Sequence, residues 1–254
     1  MLEHVFADPS ALLIFVCIGF AAQLVDGALG MAFGQISSTI LISIGVPPAA
    51  ASAGVHTAET FTTAVSAVSH VAHQNVDWSL FFRLAIPGVV GGVLGAYILT
   101  TADASVAKPF VLVYLTSLGL YLFYRGVMHR HTERTPKIVS PLGLVGGFLD
   151  AAGGGGWGGI VTSNLLVQGS NPRKTIGTVN TAEFFLTVTI SATFIATLGW
   201  KAFTVATSGL LIGGVLAAPF GAWIAKRVNP DMLLTFVGAL LTIVSTYGLY
   251  RALS

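Results

Sequence analysis

Four acidic residues lie inside stretches of this 254-residue chain that are otherwise apolar enough to enter a lipid bilayer. They form two pairs, Asp26 with Glu59 and Asp150 with Glu183, and the second pair follows the first by 124 positions. An ionised carboxylate inside a membrane costs at least about 2.5 kcal/mol unless it is paired or hydrated. Each carboxylate therefore carries a proton or orders a solute, or else accepts hydrogen bonds from exposed helix ends. Both roles stay open for the glutamates, and for the aspartates we favour the structural one.

A glycine-rich run follows each aspartate, at residues 27–34 and 153–159. A helix that begins in such a run points unpaired N–H groups and a positive dipole end at the protein centre, which suits an anion. The alternative is that the glycines only allow close helix packing. The candidate substrate-binding residues are Gly30, Gly34, Gln35, His56, Thr57, Glu59, Gly154, Gly155, Gly156, Trp157, Gly158, Asn180, Thr181 and Glu183.

Polar residues of the first copy recur at helical spacing, so that they share one face. They are Ser52, His56, Glu59, Thr63, Ser66 and His70. That face must contact protein or water rather than lipid. The candidates for proton coupling or for a structural role are Asp26, Glu59, His56, Asp150 and Glu183, and His56 is the best single proton carrier because imidazole titrates near neutral pH. No spacing specifies a metal site, and no cofactor is expected.

The composition is that of a membrane protein. Hydrophobic residues make up 54% and charged residues 9% of the chain, with a mean hydropathy of +0.83. A soluble domain has about 25% charged residues. The net charge of +2 gives no reason to expect nucleic acid as a partner, since the basic residues lie at segment ends.

The apolar segments fall into two classes by length. Six are long enough to span a membrane, at residues 48–72, 79–100, 109–127, 173–198, 202–225 and 231–250. Four are shorter than the roughly 20 residues of a perpendicular crossing, at residues 11–25, 32–45, 140–150 and 157–169. Each short pair flanks a glycine run, a pattern typical of transporter binding sites.

The repetition predicts an all-α, polytopic membrane helix bundle of two repeats, 1–128 and 140–254, joined by a basic linker, 129–139. Each repeat contains a glycine-broken short pair and three long spans. If a short pair crosses twice or re-enters, every repeat crosses an odd number of times and the repeats are inverted. If it forms one broken span instead, the predicted side of the linker or the orientation of the chain changes.

Basic residues fix the predicted orientation. With the N-terminus outside, nine Lys and Arg residues lie on the cytoplasmic side: Arg83, Arg125, Arg130, Arg134, Lys137, Arg173, Lys174, Lys226 and Arg227. Three lie on the other side: Lys108, Lys201 and Arg251. Cytoplasmic loops are enriched in basic residues, so the linker is predicted to be cytoplasmic in a multi-pass protein of the inner membrane.

The two halves, the run Gly-Gly-Gly-Gly-Trp-Gly-Gly at 153–159, the preceding Gly143-Leu144-Val145-Gly146-Gly147 and the segment 169–178 resemble the TauE/SafE sulfite exporter family. The resemblance covers nearly the whole chain. It implies two related halves and the transport of sulfite, sulfonates and related organosulfur anions, generally outward. The first copy departs from the family pattern, with Leu29, Met31 and Phe33 where the second copy has Gly153, Gly155 and Trp157.

These observations predict a secondary transporter that exports sulfite or a related small anion by alternating access, with the lipid bilayer and the anion as its partners. An importer or a channel for another small anion stays open, and so does a homo-oligomer. An intramembrane enzyme is disfavoured, because His56 and Glu59 alone supply too few catalytic groups. A nucleotide-driven pump is also disfavoured, because no glycine run is followed by a Lys-Ser/Thr pair.

Overall fold

The computed structural model describes residues 9–29, 31–128, 135–199, 205–225 and 230–253, and the fold is given for these residues. Every regular element in them is a helix, which agrees with the all-α prediction. In chain order the helices are α1 (Pro9–Leu29), α2 (Phe33–Ser43), α3 (Pro48–Ala72), α4 (Trp78–Thr101), α5 (Ala104–Val127), α6 (Ser140–Gly153), a π-helical turn (Gly158–Thr162), α7 (Ser163–Val167), α8 (Pro172–Leu198), α9 (Val205–Ala225) and α10 (Pro230–Leu253).

Four of the described helices are long and apolar enough to cross a membrane over Trp78–Thr101, Ala104–Val127, Arg173–Leu198 and Thr235–Leu253. They lie in α4, α5, α8 and α10, and they carry large apolar side chains on their outer surfaces, such as Ile86 and Phe110, that face away from the bundle. The protein is therefore a multi-pass membrane protein. Helix α3 is 25 residues long, but its polar face lowers its hydropathy.

The expected short segment 11–25 is part of a longer helix. Helix α1 has 21 residues, which corresponds to about 31 Å, but its apolar part is the shorter stretch Leu12–Asp26, close to the predicted segment. The hydropathy falls at Asp26, but the backbone stays helical through Leu29. The other short segments remain short, since α2 has 11 residues and α6 has 14 residues.

Matching helices of the two sequence copies pack against each other and run antiparallel. Along the pair α3 and α8, residue numbers rise in one helix as they fall in the other, as four contacts show: Asn75 with Arg173, His70 with Asn180, Thr63 with Thr187, and His56 with Phe194. Helices α5 and α10 also run antiparallel, because Gly119 lies against Thr242 and Gly126 against Thr235. Thr63 and Thr187 are themselves matching positions, so the centre of the α3–α8 contact joins the two copies at equivalent points.

The outer helices are exchanged between the copies, so that each packs on a helix of the other copy. These helices are α1, α4, α6 and α9. Helix α1 of the first copy packs on α9 of the second, and α6 of the second copy packs on α4 of the first. At each crossing a glycine lies against a leucine carbonyl oxygen, Gly19 against Leu210 and Gly143 against Leu84, so that a Cβ at either glycine would collide. Gly19 matches Gly143 in the duplication. The two crossings are thus built from corresponding residues.

A second corresponding contact lies nearer the centre. A Cβ on Gly88 would lie 2.9 Å from the Trp157 ring, and a Cβ on Gly214 would lie 3.4 Å from the Phe33 ring. Trp157 and Phe33 match in the duplication. Glycine lets the helix approach the aromatic ring closely, as small residues do in membrane bundles. At both positions a glycine of a long span therefore serves close helix packing.

Part of the linker contacts the second copy. The Gln168 side-chain oxygen accepts hydrogen bonds from the backbone N–H groups of Lys137 and Ile138, at 3.0 and 2.9 Å. Nearby, Arg173 donates to the Asn75 side chain at 2.6 Å and Lys174 donates to the Gln74 carbonyl at 2.7 Å. These bonds join the end of α3 to the start of α8. Residues 129–134 of the linker lie outside the described part of the chain.

Candidate functional site

The two glycine runs meet inside the bundle. Gly155 has a φ of 131°, and a Cβ built on it would lie 2.7 Å from the Gly34 Cα and 2.8 Å from the Gln35 backbone nitrogen. A Cβ on Gly34 would lie 3.0 Å from the Gly155 Cα. Only glycine at both positions allows this approach. The sequence predicted that both glycine runs face the protein centre, and the structure brings their backbones into contact.

Each aspartate caps the helix that follows its glycine run. The Asp26 carboxylate accepts a hydrogen bond from the Phe33 backbone N–H at 3.3 Å, and the Asp150 carboxylate accepts one from the Trp157 backbone N–H at 2.8 Å. The four residues are two matched pairs in the duplication. A carboxylate at this place satisfies an unpaired donor and lies favourably in the field of the helix dipole. This geometry corresponds to the structural role favoured for Asp26 and Asp150.

Asp150 has a second side-chain partner, which has no equivalent for Asp26 in the other copy. Its other carboxylate oxygen lies 3.1 Å from the His56 Nε2, and both side chains are buried. The His56 Nδ1 lies 2.8 Å from the Ser52 carbonyl oxygen, which can only accept, so Nδ1 carries a hydrogen. The contact at Nε2 therefore needs one further proton, held by the imidazole or by the carboxyl group. His56 matches Asn180, so the buried pair occurs in one copy only.

The two glutamates complete a cluster of four carboxyl groups. Glu59 is 5% exposed, and its carboxylate accepts a hydrogen bond from the Gly34 backbone N–H. Glu183 lies within electrostatic range of Glu59, Asp26 and Asp150. Four ionised carboxylates would repel one another and any anion nearby. The cluster is therefore compatible with a bound anion only when protons or hydrogen-bond donors offset part of its negative charge.

Some buried polar atoms on the helical segments that follow the glycine runs have no hydrogen-bond partner. The Gln35 Nε2 faces Gly159, and a Cβ on that glycine would lie 2.6 Å from it. The hydroxyl groups of Ser37 and Thr162 are also buried and unpaired. Leaving such a group unpaired costs about 1–3 kcal/mol. These donors are available to a solute, and Gln35 is one of the predicted substrate-binding residues.

Several other candidates direct their donors elsewhere. The hydroxyls of Thr57 and Thr181 donate to carbonyl oxygens of their own helices, Ala53 and Gly177, at 2.7 Å. The helix backbone accepts both hydroxyls in this arrangement, and contact of Thr57 and Thr181 with an anion stays a prediction. The Asn180 amide lies 3.4 Å from the His70 Nε2.

Trp157 is fully buried, and its indole N–H donates to the Val179 carbonyl at 3.2 Å, so it packs in the core behind the glycine contact. Gly158 is buried and opens the π-helical turn. Gly154 ends α6 with a φ of 78°, and its carbonyl accepts a hydrogen bond from Ser38. Gly30, another predicted ligand, lies outside the described residues.

Tyr114 and the unpaired hydroxyls were not predicted from the sequence. Tyr114 of α5 donates to the Gly155 carbonyl at 3.2 Å, and its hydroxyl fills the space that a Cβ on Gly156 would need. Nothing in an apolar span indicates which tyrosine points inward. Thr162 could have been found, because it matches Ser38 and both positions carry a hydroxyl.

The two glycine runs differ in backbone strain. Gly156 has a φ of 148°, and the matching residue of the first copy is Ala32, whose φ is 110°. A residue with a Cβ is strained at such a φ by about 1–3 kcal/mol. We expect Ala32→Gly to raise the thermal midpoint of unfolding of the purified protein. Ala64→Gly, in the interior of α3, serves as the control and should lower it, because glycine has a lower helix propensity than alanine. A lower midpoint for Ala32→Gly would contradict the assigned strain.

Among the described residues, no group of three or more His, Cys, Asp or Glu side chains is arranged to hold a metal ion.

The sequence pattern described as "Sulfite exporter TauE/SafE" matches residues 15–248, which is nearly the whole chain. The chain belongs to the TauE/SafE family. It is also 41% identical over 243 residues to "Probable membrane transporter protein YtnM" of Bacillus subtilis, covering 92% of this chain and 81% of that protein. A "Probable membrane transporter protein" of Haemophilus influenzae is 24% identical over 215 residues, covering 82% of this chain and 84% of that protein. No solved structure matches the chain significantly.

This TauE/SafE protein is therefore a membrane transporter, and the resemblance noted in the glycine runs is confirmed. The match spans both glycine runs and all four carboxyl groups of the cluster. The family is named for the export of an anion and not for catalysis of a reaction.

Proposed function

We propose that this transporter exports sulfite or a related small sulfonate across the inner membrane by alternating access. The observation that carries the proposal is the contact of the two glycine runs, with unpaired donors and four carboxyl groups beside it. The family description names sulfite as the exported anion. A small oxyanion suits a site made of backbone N–H groups, amides and hydroxyls.

We propose that the two repeats are inverted. Support comes from the antiparallel packing of the matching helices α3 with α8 and α5 with α10. Support also comes from the corresponding contacts of Gly19 and Gly143 with leucine carbonyls of the other copy. Because the outer helices are exchanged, each body that moves during transport contains helices of both sequence copies. The basic residues at the segment ends favour a cytoplasmic linker.

The proposed anion site lies where α2 and the π-helical turn begin. Gln35 supplies an amide donor, Glu59 accepts from the N–H of Gly34, and the contact of Gly34 with Gly155 brings the two glycine runs to one place. The proton shared by Asp150 and His56 offsets part of the negative charge. The remaining glycines of the second run shape the same surface.

We propose further that Glu59 and Glu183 exchange protons during transport. Their carboxyl groups lie in one cluster with Asp26 and Asp150, so a bound anion and a full set of ionised carboxylates are incompatible. Protons that bind to these carboxyl groups from one side of the membrane would lower this repulsion. The proton gradient would then contribute to the direction of flux.

The test is flux of labelled sulfite in liposomes that contain the purified transporter, with and without a pH gradient. Sulfate, thiosulfate and a small sulfonate serve as competitors. We expect Glu59→Gln and Glu183→Gln each to reduce flux at least about tenfold, since a hydrogen bond to a charged group contributes about 1.5–3 kcal/mol. We also expect the residual flux to lose its response to the pH gradient.

Asp103→Asn is the matched control, because Asp103 is an exposed carboxylate at the start of α5 that caps Ser105. It should leave sulfite flux and its pH response unchanged. Wild-type liposomes that show no flux of any sulfur anion would overturn the cargo assignment. Intact flux with an intact pH response in both glutamine variants would overturn the proton-exchange role.

A further inference from the structure

The contact between α3 and α8 has two unlike ends. We call it the α3–α8 seam, and the side of the protein on which Lys137 contacts Gln168 is the linker side. The seam runs from His70 and Asn180 at its linker-side end, through Thr63 and Thr187 at its centre, to His56 and Phe194 at its far end. The duplication relates one end to the other, because His70 matches Phe194 and Asn180 matches His56.

The linker-side end is polar and open to solvent. His70 is partly exposed, and its two ring nitrogens lie 3.4 Å from the side-chain amides of Asn75 and Asn180. A cleft of about 380 Å³ on the same side of the protein is lined in part by Asp77 and Lys174, and Lys174 donates to the Gln74 carbonyl just after the end of α3. Polar groups that line a cleft of this size can bind ordered water. A polar line therefore leads inward from the linker side.

Beyond a hydroxyl contact of 3.4 Å between Thr60 and Ser191, the far end of the seam is closed by apolar side chains. Phe194 is 1% exposed and Ile190 is fully buried, where the matching residues at the linker-side end are His70 and Ser66. The Phe194 ring lies 6.3 Å from the His56 ring. Both nitrogens of His56 are already directed at protein partners. Water is not stabilised in a closely packed apolar contact.

The centre of the seam leads to the glutamates. The hydroxyls of Thr63 and Thr187 lie 3.4 Å apart. Glu59 is four residues before Thr63 and Glu183 is four residues before Thr187, so each carboxyl group lies on the same helix face as the central hydroxyl. Asn180 lies three residues before Glu183 on that face. The polar line thus continues from His70 to both glutamates.

We propose that the α3–α8 seam is the route by which water and protons reach Glu59 and Glu183 from the linker side, and that Phe194 and Ile190 block the same route from the opposite side. The duplication gives both ends the same backbone, and the side chains make one end permeable. The inference deepens the proposed proton exchange and rests on it for its purpose. The route itself needs no substrate to be present.

The test is labelling of an engineered cysteine by a small, charged, membrane-impermeant methanethiosulfonate reagent, applied to either face of sealed vesicles. The chain has one cysteine, Cys17, which is replaced in a Cys17→Ala background. Thr63→Cys reports on the centre of the seam, and the exposed Lys137→Cys identifies the linker side. We expect Thr63→Cys to react at least about tenfold faster from the linker side, since a closed path reacts only through rare opening.

The two ends supply their own matched variants. His70→Phe copies the apolar side chain of Phe194 into the linker-side end and should slow labelling of Thr63→Cys about tenfold. Phe194→His copies the polar side chain into the far end and should allow labelling from the opposite side. Retention of the size-exclusion profile in both variants shows that the bundle remains folded.

Labelling of Thr63→Cys from the opposite side only, equal rates from both sides, or no labelling from the linker side would each overturn the proposed route. An unchanged rate in His70→Phe would also overturn it. These outcomes are independent of sulfite flux. A transporter that moves another anion, or none of those tested, would still show the sided labelling.

Discussion

Replacement of Gly155 by alanine is expected to prevent the transporter from folding stably. The backbone φ of 131° at this residue is essentially restricted to glycine and costs about 1–3 kcal/mol with a Cβ present. The Cβ would also meet the Gly34 backbone, with 2.7 Å to its Cα, and backbone cannot move aside as a flexible side chain can. Since folded proteins are stable by only about 5–15 kcal/mol, the two effects together remove a large part of the stability.

A variant at Gly199 distinguishes the effect of backbone strain from that of the steric clash. It also has a positive φ, of 72°, but a Cβ there would have no atom within 4 Å. Gly199→Ala should therefore lower stability by the strain alone, about 1–3 kcal/mol. The measurement is the thermal midpoint of the detergent-solubilised proteins, followed by size-exclusion chromatography. Equal losses for the two variants would show that the glycine runs do not touch as described.

Removal of the Asp150 carboxylate is expected to cost much more than removal of its counterpart Asp26. Asp150→Ala removes the cap of Trp157 and leaves His56 buried without its partner, and breaking a buried pair in this way costs about 3–5 kcal/mol. Asp26→Ala removes only the cap of Phe33, which contributes about 0.5–2 kcal/mol. Loss of one carboxylate from the cluster also relieves repulsion, which reduces the cost of Asp26→Ala further.

Unfolding of the single and double variants checks this prediction. In the Asp150→Ala background, a further His56→Ala change should cost little, because the unpaired imidazole that caused the loss is gone. Such non-additivity is the signature of directly interacting side chains. Additive losses for Asp150→Ala and His56→Ala, or equal losses for the two aspartate variants, would contradict the assigned pair.

The duplication made the carboxyl groups and glycine runs predictable, because an acidic residue in an apolar stretch needs a reason and the same residues recur 124 positions later. The constant spacing from aspartate to the capped N–H, Asp26 to Phe33 and Asp150 to Trp157, follows from the same repetition. The prediction of the carboxyl groups and glycine runs depended on single residues, because their chemistry is unusual in a membrane.

The pairing of the helices could not be predicted in the same way. The faces that join α1 to α9 and α6 to α4 consist of glycine and apolar residues, and such a face fits many partners. Tyr114 was missed for a related reason, because its role depends on where α5 lies relative to Gly155. The second partner of Asp150 was likewise invisible, since His56 is 94 residues away in the chain.

The exchange of outer helices has a consequence for biogenesis. Helix α1 leaves the ribosome roughly 200 residues before its partner α9 is complete, an interval of about 10–40 s at ordinary rates of synthesis. During this time the glycine face around Gly19 has only lipid or an assembly factor to cover it. The native contact of α1 therefore forms after insertion is nearly finished, and chains interrupted before α9 expose a ready target for membrane quality control.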